Sequence, residues 1–152
     1  MKPGKRFEAK FHRSLLMLPG ASCRFEDGGA VAKNRQLADY IYWDDGEETF
    51  VFECKATKKP SFPMCDMGDE QLEGLLEWEA MRPTFHAVVA LNFYGENVAA
   101  DNRCILVEAR SLVRYLEYTG RKSIPADDAA EIGWECERAK GNIWKLDPWK
   151  VI

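Results

Sequence analysis

The sequence predicts an α/β fold built on one mixed sheet with helices against it. Three observations carry this. The chain opens with apolar residues at helical spacing, two runs rich in aromatic and β-branched residues then flank an Asp/Gly turn, and helical and strand patterns alternate from there on. At 152 residues the chain fits one domain, 1–152, with its own core. No composition shift or linker divides it, and there are no internal repeats.

Phe7, Phe11, Leu15 and Leu18 recur at helical spacing from about Lys5 onward until Pro19-Gly20 stops the run, with Glu8 and His12 on one flank. A polar, glycine-bearing stretch follows through Asp27-Gly28-Gly29. Leu37 to Trp43 and Glu48 to Ala56 read as strands, and Asp44-Asp45-Gly46-Glu47 between them reads as a hairpin turn. Pro60 and Pro63 bracket a loop. Asp69 then reads as the cap of a helix carrying Leu72, Leu75 and Leu76 and ended by Pro83. His86 to Phe93 and Cys104 to Val107 are buried-strand candidates, and Leu112 and Leu116 mark a further helix up to Gly120. Pro125 is placed to start another helical turn.

Composition narrows the function classes. No apolar run approaches the roughly 20 residues of a membrane-spanning helix, so the expectation is a soluble, cytoplasmic protein with no membrane partner. The five cysteines are odd in number and never form a Cys-x-x-Cys pair, which argues for reduced thiols over a disulfide framework or a zinc site. A net charge of −4 weighs against nucleic acid as a partner. The distribution weighs the other way. Lys2, Lys5, Arg6, Lys10, Arg13, Arg24, Lys33 and Arg35 crowd the first part of the chain against only Glu8, Glu26 and Asp27, a bias that suits one DNA-facing side.

Folding the hairpin about its turn sets Asp39 across from Glu53. Strand alternation sends Val51, Glu53 and Lys55 to one face and Phe50, Phe52 and Cys54 to the other. Two carboxylates and an ammonium then share one spot. Carboxylates held this close repel unless a cation neutralises them, and oxygen ligands suit Mg²⁺ or Mn²⁺. Lys55 can orient or help deprotonate an attacking water, or stabilise charge on a scissile phosphate. A cross-strand charge cluster on a solvated face would show the same spacing. Against it stands the strand itself, which is otherwise apolar, so charges there are costly unless compensated.

Phe52-Glu53-Cys54-Lys55-Ala56-Thr57-Lys58, then Ser61-Phe62-Pro63-Met64, then Asp69-Glu70-Gln71-Leu72, resemble the active-site region of the RecU family of Holliday junction resolvases, within the PD-(D/E)XK nuclease superfamily. Gly4-Lys5-Arg6-Phe7-Glu8, Asp39-Tyr40 and Gly120-Arg121-Lys122-Ser123-Ile124 resemble further family segments in the same order. The resemblance implies a PD-(D/E)XK (restriction-endonuclease-like) core. It also implies Asp39 and Glu53 as metal ligands, Gln71 as a further ligand or partner of a metal-bound water, Lys55 as transition-state stabiliser and Glu8 as support from the first helix. Two departures stand out. Leu37-Ala38 precede the Asp where the family carries a hydroxyl residue, and Pro19 to Ala38 is too short for the family's long stalk. His12 and His86 have no partners at metal-ligand spacing and read as structural.

The reading is therefore a stalk-less, Mg²⁺-dependent endodeoxyribonuclease that resolves four-way junctions in recombination and repair. It would act as a homodimer, since symmetric cuts at a two-fold junction call for two symmetric sites. Lys58, Lys59, Arg121 and Lys122 are candidate phosphate contacts. The rivals are another nuclease on the same fold, restriction-type or recombination, and a DNA-binding module without catalysis.

Overall fold

The computed structural model describes residues 1–25, 36–95 and 102–152. The stretch through Asp27-Gly28-Gly29, with Glu26, Lys33 and Arg35, lies outside the described residues. The described chain opens with α1 (Pro3–Leu15), β1 (Ala21–Arg24), β2 (Tyr40–Trp43) and β3 (Thr49–Thr57). A short β4 (Ser61–Pro63) leads into α2 (Asp69–Glu79), β5 (Phe85–Phe93) and β6 (Arg103–Glu108). Then come α3 (Ala109–Thr119), β7 (Ser123–Pro125), α4 (Ala126–Ile132), β8 (Trp134–Glu135), β9 (Glu137–Ala139) and β10 (Ile143–Lys145).

The main sheet has the order β1-β2-β3-β5-β6-β8. Only β3 and β5 pair in parallel among its described strands, because α2 carries the chain back over one face between them. The sheet is therefore mixed, as the sequence predicts. Alternation along β3 divides the core in two. Phe50, Phe52 and Cys54 pack with Phe7, Phe11 and Leu15 of α1 and with Trp144 of β10, whereas Val51 packs with Leu75 of α2 and Leu112 of α3 on the opposite face.

The hairpin register follows from its turn. Asp44 Oδ1 accepts the N–H groups of Gly46 and Glu48 at 3.0 and 3.1 Å, and Tyr40 faces Phe52 four residues before the turn. The first strand is shorter than predicted: it starts at Tyr40, not Leu37. Ala38's carbonyl accepts from the Gln36 side-chain amide at 2.7 Å and Cys54 N–H donates to Asp39 Oδ2 at 2.8 Å, so side chains take the groups that a longer ladder would have paired.

Other boundaries shift for local reasons. Gly68, at φ 82°, is the residue that precedes α2, a backbone position that favours glycine, and Asp69 is the first helical residue with no capping bond. Asp69 and Glu70 still meet the positive end of the helix. The helix stops at Glu79, ahead of Pro83, where Phe85 N–H bonds Arg82's carbonyl and Trp78 stacks on Phe85 at 4.4 Å. The segment around Pro60 and Pro63 is not a plain loop: Ser61–Pro63 pairs antiparallel with Ser123–Pro125, burying Phe62 and Ile124. Gly120 ends α3 in the left-handed region at φ 67°, and Pro125 precedes α4, as predicted. All five cysteines are free. Among the described residues no helix is long and apolar enough to cross a membrane.

Candidate active site

Asp39, Glu53, Lys55 and Gln71 meet where β2 gives way to the bend before it, on the sheet face opposite α1. Glu53 is the buried member at 3% exposure. Its Oε1 lies 2.9 Å from Lys55 Nζ, and the Gln71 side chain in the first turn of α2 donates a hydrogen bond to the same carboxylate. Asp39 is fixed from its other side by the Cys54 N–H. Residues 53 to 55 are thus tied to both carboxylates: the strand supplies one acid, the ammonium and the main-chain donor that holds the other acid.

Electrostatics mark this spot. Burial, reinforced by Asp39, pushes Glu53 up to about 7 even though Lys55 and Gln71 pull it down. Asp39 is raised as well, first by burial and then by Glu8, against the lowering effect of the Cys54 N–H, Lys55 and Lys5. Two neighbouring acids with raised pKa values are a place with a deficit of positive charge.

Glu8 reaches the same region from α1. Lys5 lies 3.1 Å and Arg24 3.6 Å from its carboxylate, while Tyr40 Oη donates to its main-chain carbonyl at 3.1 Å. Arg24 arrives on β1, a strand that sequence reading missed because its four residues carry no apolar alternation. His12 stacks on Tyr40 at 5.1 Å, and His86 bonds Glu48 beside Phe50. His12 thus packs locally, and His86 both packs and pairs locally.

The donor set around Asp39 and Glu53 is two carboxylates, with the Gln71 side chain hydrogen-bonded to Glu53. That set fits a hard divalent cation. Among the described residues no three His, Cys, Asp or Glu side chains stand close enough to ligate one ion by themselves.

Neither protein-family models nor curated protein sequences match the chain. A solved structure does. Hjc, a Holliday junction resolvase from the archaeal hyperthermophile Archaeoglobus fulgidus, matches over 87% of this chain and 95% of that one, with a TM-score of 0.60 at 20% sequence identity. The fold is shared. A central mixed sheet flanked by helices, as expected from the sequence, is the architecture of both chains.

On that core the four candidate phosphate contacts fall into two pairs, one at each end of the antiparallel β4–β7 ribbon. Lys58 and Lys59 follow β3, Arg121 and Lys122 precede β7, and Lys122's carbonyl accepts the N–H of Met64 just after β4 at 3.0 Å. Lys59 and Lys122 are open to solvent. Arg121 is engaged, pairing with Asp128 of α4 at 3.2 Å beside Tyr115.

Proposed function

We propose that this chain is a metal-dependent endodeoxyribonuclease of the junction-resolving, RecU-like kind, cutting four-way DNA junctions as a homodimer. The observation that carries the reading is the pair of raised-pKa carboxylates, buried Glu53 and half-buried Asp39, with the Lys55 ammonium at 2.9 Å from one of them. The junction specificity rests on the resemblance of the ordered motifs and on the fold shared with Hjc, itself a resolvase.

Asp39 and Glu53, with Gln71, would hold Mg²⁺ or Mn²⁺, and the ion when bound would neutralise the acids and polarise phosphate and water. The chain's own residues do the rest. The Cys54 N–H locks Asp39, so its orientation costs nothing at the moment of reaction. Lys55 spans the site from its buried partner to solvent, its side chain 23% exposed against 4% for Glu53. That ammonium is placed to face a scissile phosphate and stabilise the charge growing on it. Glu8, pinned by Lys5 and Arg24, supports the site from α1. Lys58, Lys59 and Lys122 would hold the backbone without reading sequence, and Arg121 would have to exchange Asp128 for a phosphate.

The deciding experiment presents a four-way junction, a linear duplex and single-stranded DNA, each with and without Mg²⁺. Metal-dependent cleavage of the junction, in preference to the other two, is expected. Cleavage of all three alike would leave a nuclease of another specificity on this fold. Binding without cleavage under any divalent metal would leave a non-catalytic DNA-binding module.

A further inference from the structure

The first helix has two working flanks. With about 100° between successive residues, Phe7, Phe11, Ser14 and Leu15 form its buried ridge, and Glu8 and His12 fall to the side of Asp39 and Tyr40. Arg6, Lys10 and Arg13 fall to the other side. There they line a cleft of about 810 Å³ together with Arg138 of β9, Asn92 of β5 and Asn142 of the β9–β10 turn. Asn92 shares its face of β5 with Val88 and Ala90, which pack in the α1 core, so the cleft lies across the sheet from Glu53.

The charge in this cleft is unbalanced. Lys10 is only 8% exposed, yet among the described residues its amine meets no acid: it donates to Asn142 Oδ1 at 2.9 Å and sits 4.3 Å over the Trp144 ring. Arg138 stands 5.5 Å from the same ring and donates to the Asn102 carbonyl at 3.0 Å. Among the described residues Arg6, Lys10, Arg13 and Arg138 form no ion pair, and no carboxylate lines the cleft. Lys58 lines the cleft as well, so among the described residues five cations meet there with no carboxylate in the lining. Burial holds Lys10's pKa down, and Arg138 and Arg13 act the same way. A bound anion would relieve that repulsion.

We propose that this cleft is a phosphate-binding pocket, separate from the carboxylate site, in which Lys10, Arg13 and Arg138 grip a ligand carrying several phosphate charges. Its volume is in the range of nucleotide-sized sites, roughly 300–1,000 Å³. A planar guanidinium pair beside a fixed ammonium, with asparagine amides at the wall, matches phosphate oxygens in charge and donor geometry. The phosphates could belong to a free polyphosphate group or to a DNA strand passing behind the sheet. The pocket does not depend on the nuclease reading.

The test is calorimetric titration of the full chain, free of divalent metal and at low salt, with inorganic triphosphate and separately with a short single-stranded oligonucleotide. Arg13 and Arg138 are exposed, so Arg13→Gln/Arg138→Gln should keep the fold, and a thermal melt checks this. Should the hairpin loosen, Arg6→Gln/Arg13→Gln, confined to the exposed face of α1, gives the same reading. Triphosphate is expected to bind one per chain, at least tenfold more weakly in the double variant and unchanged in Asp39→Ala and in Lys150→Gln. If triphosphate fails to bind but the oligonucleotide weakens at least tenfold in the double variant and not in Lys150→Gln, the phosphates are those of DNA and the pocket stands. If neither ligand distinguishes the wild type from the double variant, the proposal is overturned.

Discussion

Glu53 carries the sharpest consequence at the level of single residues. Its carboxyl titrates at about 7 in the folded chain against an ordinary 4.5, chiefly because it is buried. Below the unfolded value both states are protonated and Glu53 is neutral to stability. Between about 4.5 and 7 the unfolded chain gives up its proton while the native chain keeps it, so stability falls as pH rises through that window. In metal-free buffer the loss should reach about 3 kcal/mol at most. Glu53→Gln should flatten this limb of the stability profile and raise the midpoint above pH 7. Denaturant melts of both proteins between pH 4 and 8 check it, and parallel profiles would remove the burial argument. A divalent cation should restore more stability at pH 8 than at pH 5, because binding there displaces no proton. For activity, Asp39→Ala or Glu53→Ala should abolish cleavage while DNA binding survives or tightens, since a charge that repels phosphate is lost. Full-rate cleavage by wild type in excess chelator would sink the metal assignment. Lys55→Ala should keep DNA binding and lose about 10²–10³ in rate; an undiminished rate would return Lys55 to the part of a cross-strand charge partner.

Elements were legible where local chemistry dictates them. Asp44 and Gly46 write the hairpin turn, and the turn sets the register that brings Asp39 beside the Glu53 strand. The three-residue strands were not legible, because period-two alternation cannot be read over Ser61–Pro63 or Ser123–Pro125, and their prolines read as loop. Their pairing is decided by tertiary burial of Phe62 and Ile124, at 1% and 0% exposure. The β9–β10 hairpin did leave a signal in Gly141-Asn142, both at positive φ, a dipeptide that marks a tight hairpin turn. Lys10 gave none, since a lysine at helical spacing reads as solvated until Trp144 and Asn142 are folded onto it. The β4–β7 pair carries a prediction of its own. Phe62→Ala should cost about 3–5 kcal/mol, and because the β4–β7 ribbon carries Lys58-Lys59 at one end and Arg121-Lys122 at the other, loosening it should weaken DNA binding more than Lys58→Ala does. Urea melts and filter binding measure the two effects. Equal binding losses would mean that the strand pair does not position these cations.

At the scale of the whole molecule, the overall acidity and the local basic regions have to be reconciled. A chain of net charge −4 is repelled from DNA at long range, so on the proposed function productive approach would depend on the flank of α1 and the loops around β4 and β7. Such contacts are electrostatic, and each phosphate neutralised releases counterions, so binding should fall steeply as salt rises. Selectivity need not fall with it. In a homodimer of this chain a two-fold axis would relate two Glu53–Lys55 sites, and a four-way junction has a matching two-fold symmetry that a linear duplex lacks at a fixed spacing. Deformability adds to the preference, because a branched centre is already bent and unstacked where a duplex would have to be distorted at a cost of several kcal/mol. The expected outcome is that junction affinity drops by orders of magnitude between low and moderate salt while the ratio of junction to duplex cleavage holds or rises. Paired nicks should appear at symmetry-related positions on opposing strands. Sedimentation of the protein alone and with junction, alongside cleavage of both substrates across the salt series, measures each part. A dimer that cuts junction and duplex equally at every salt concentration would keep the carboxylate chemistry and dismiss junction resolution as its purpose.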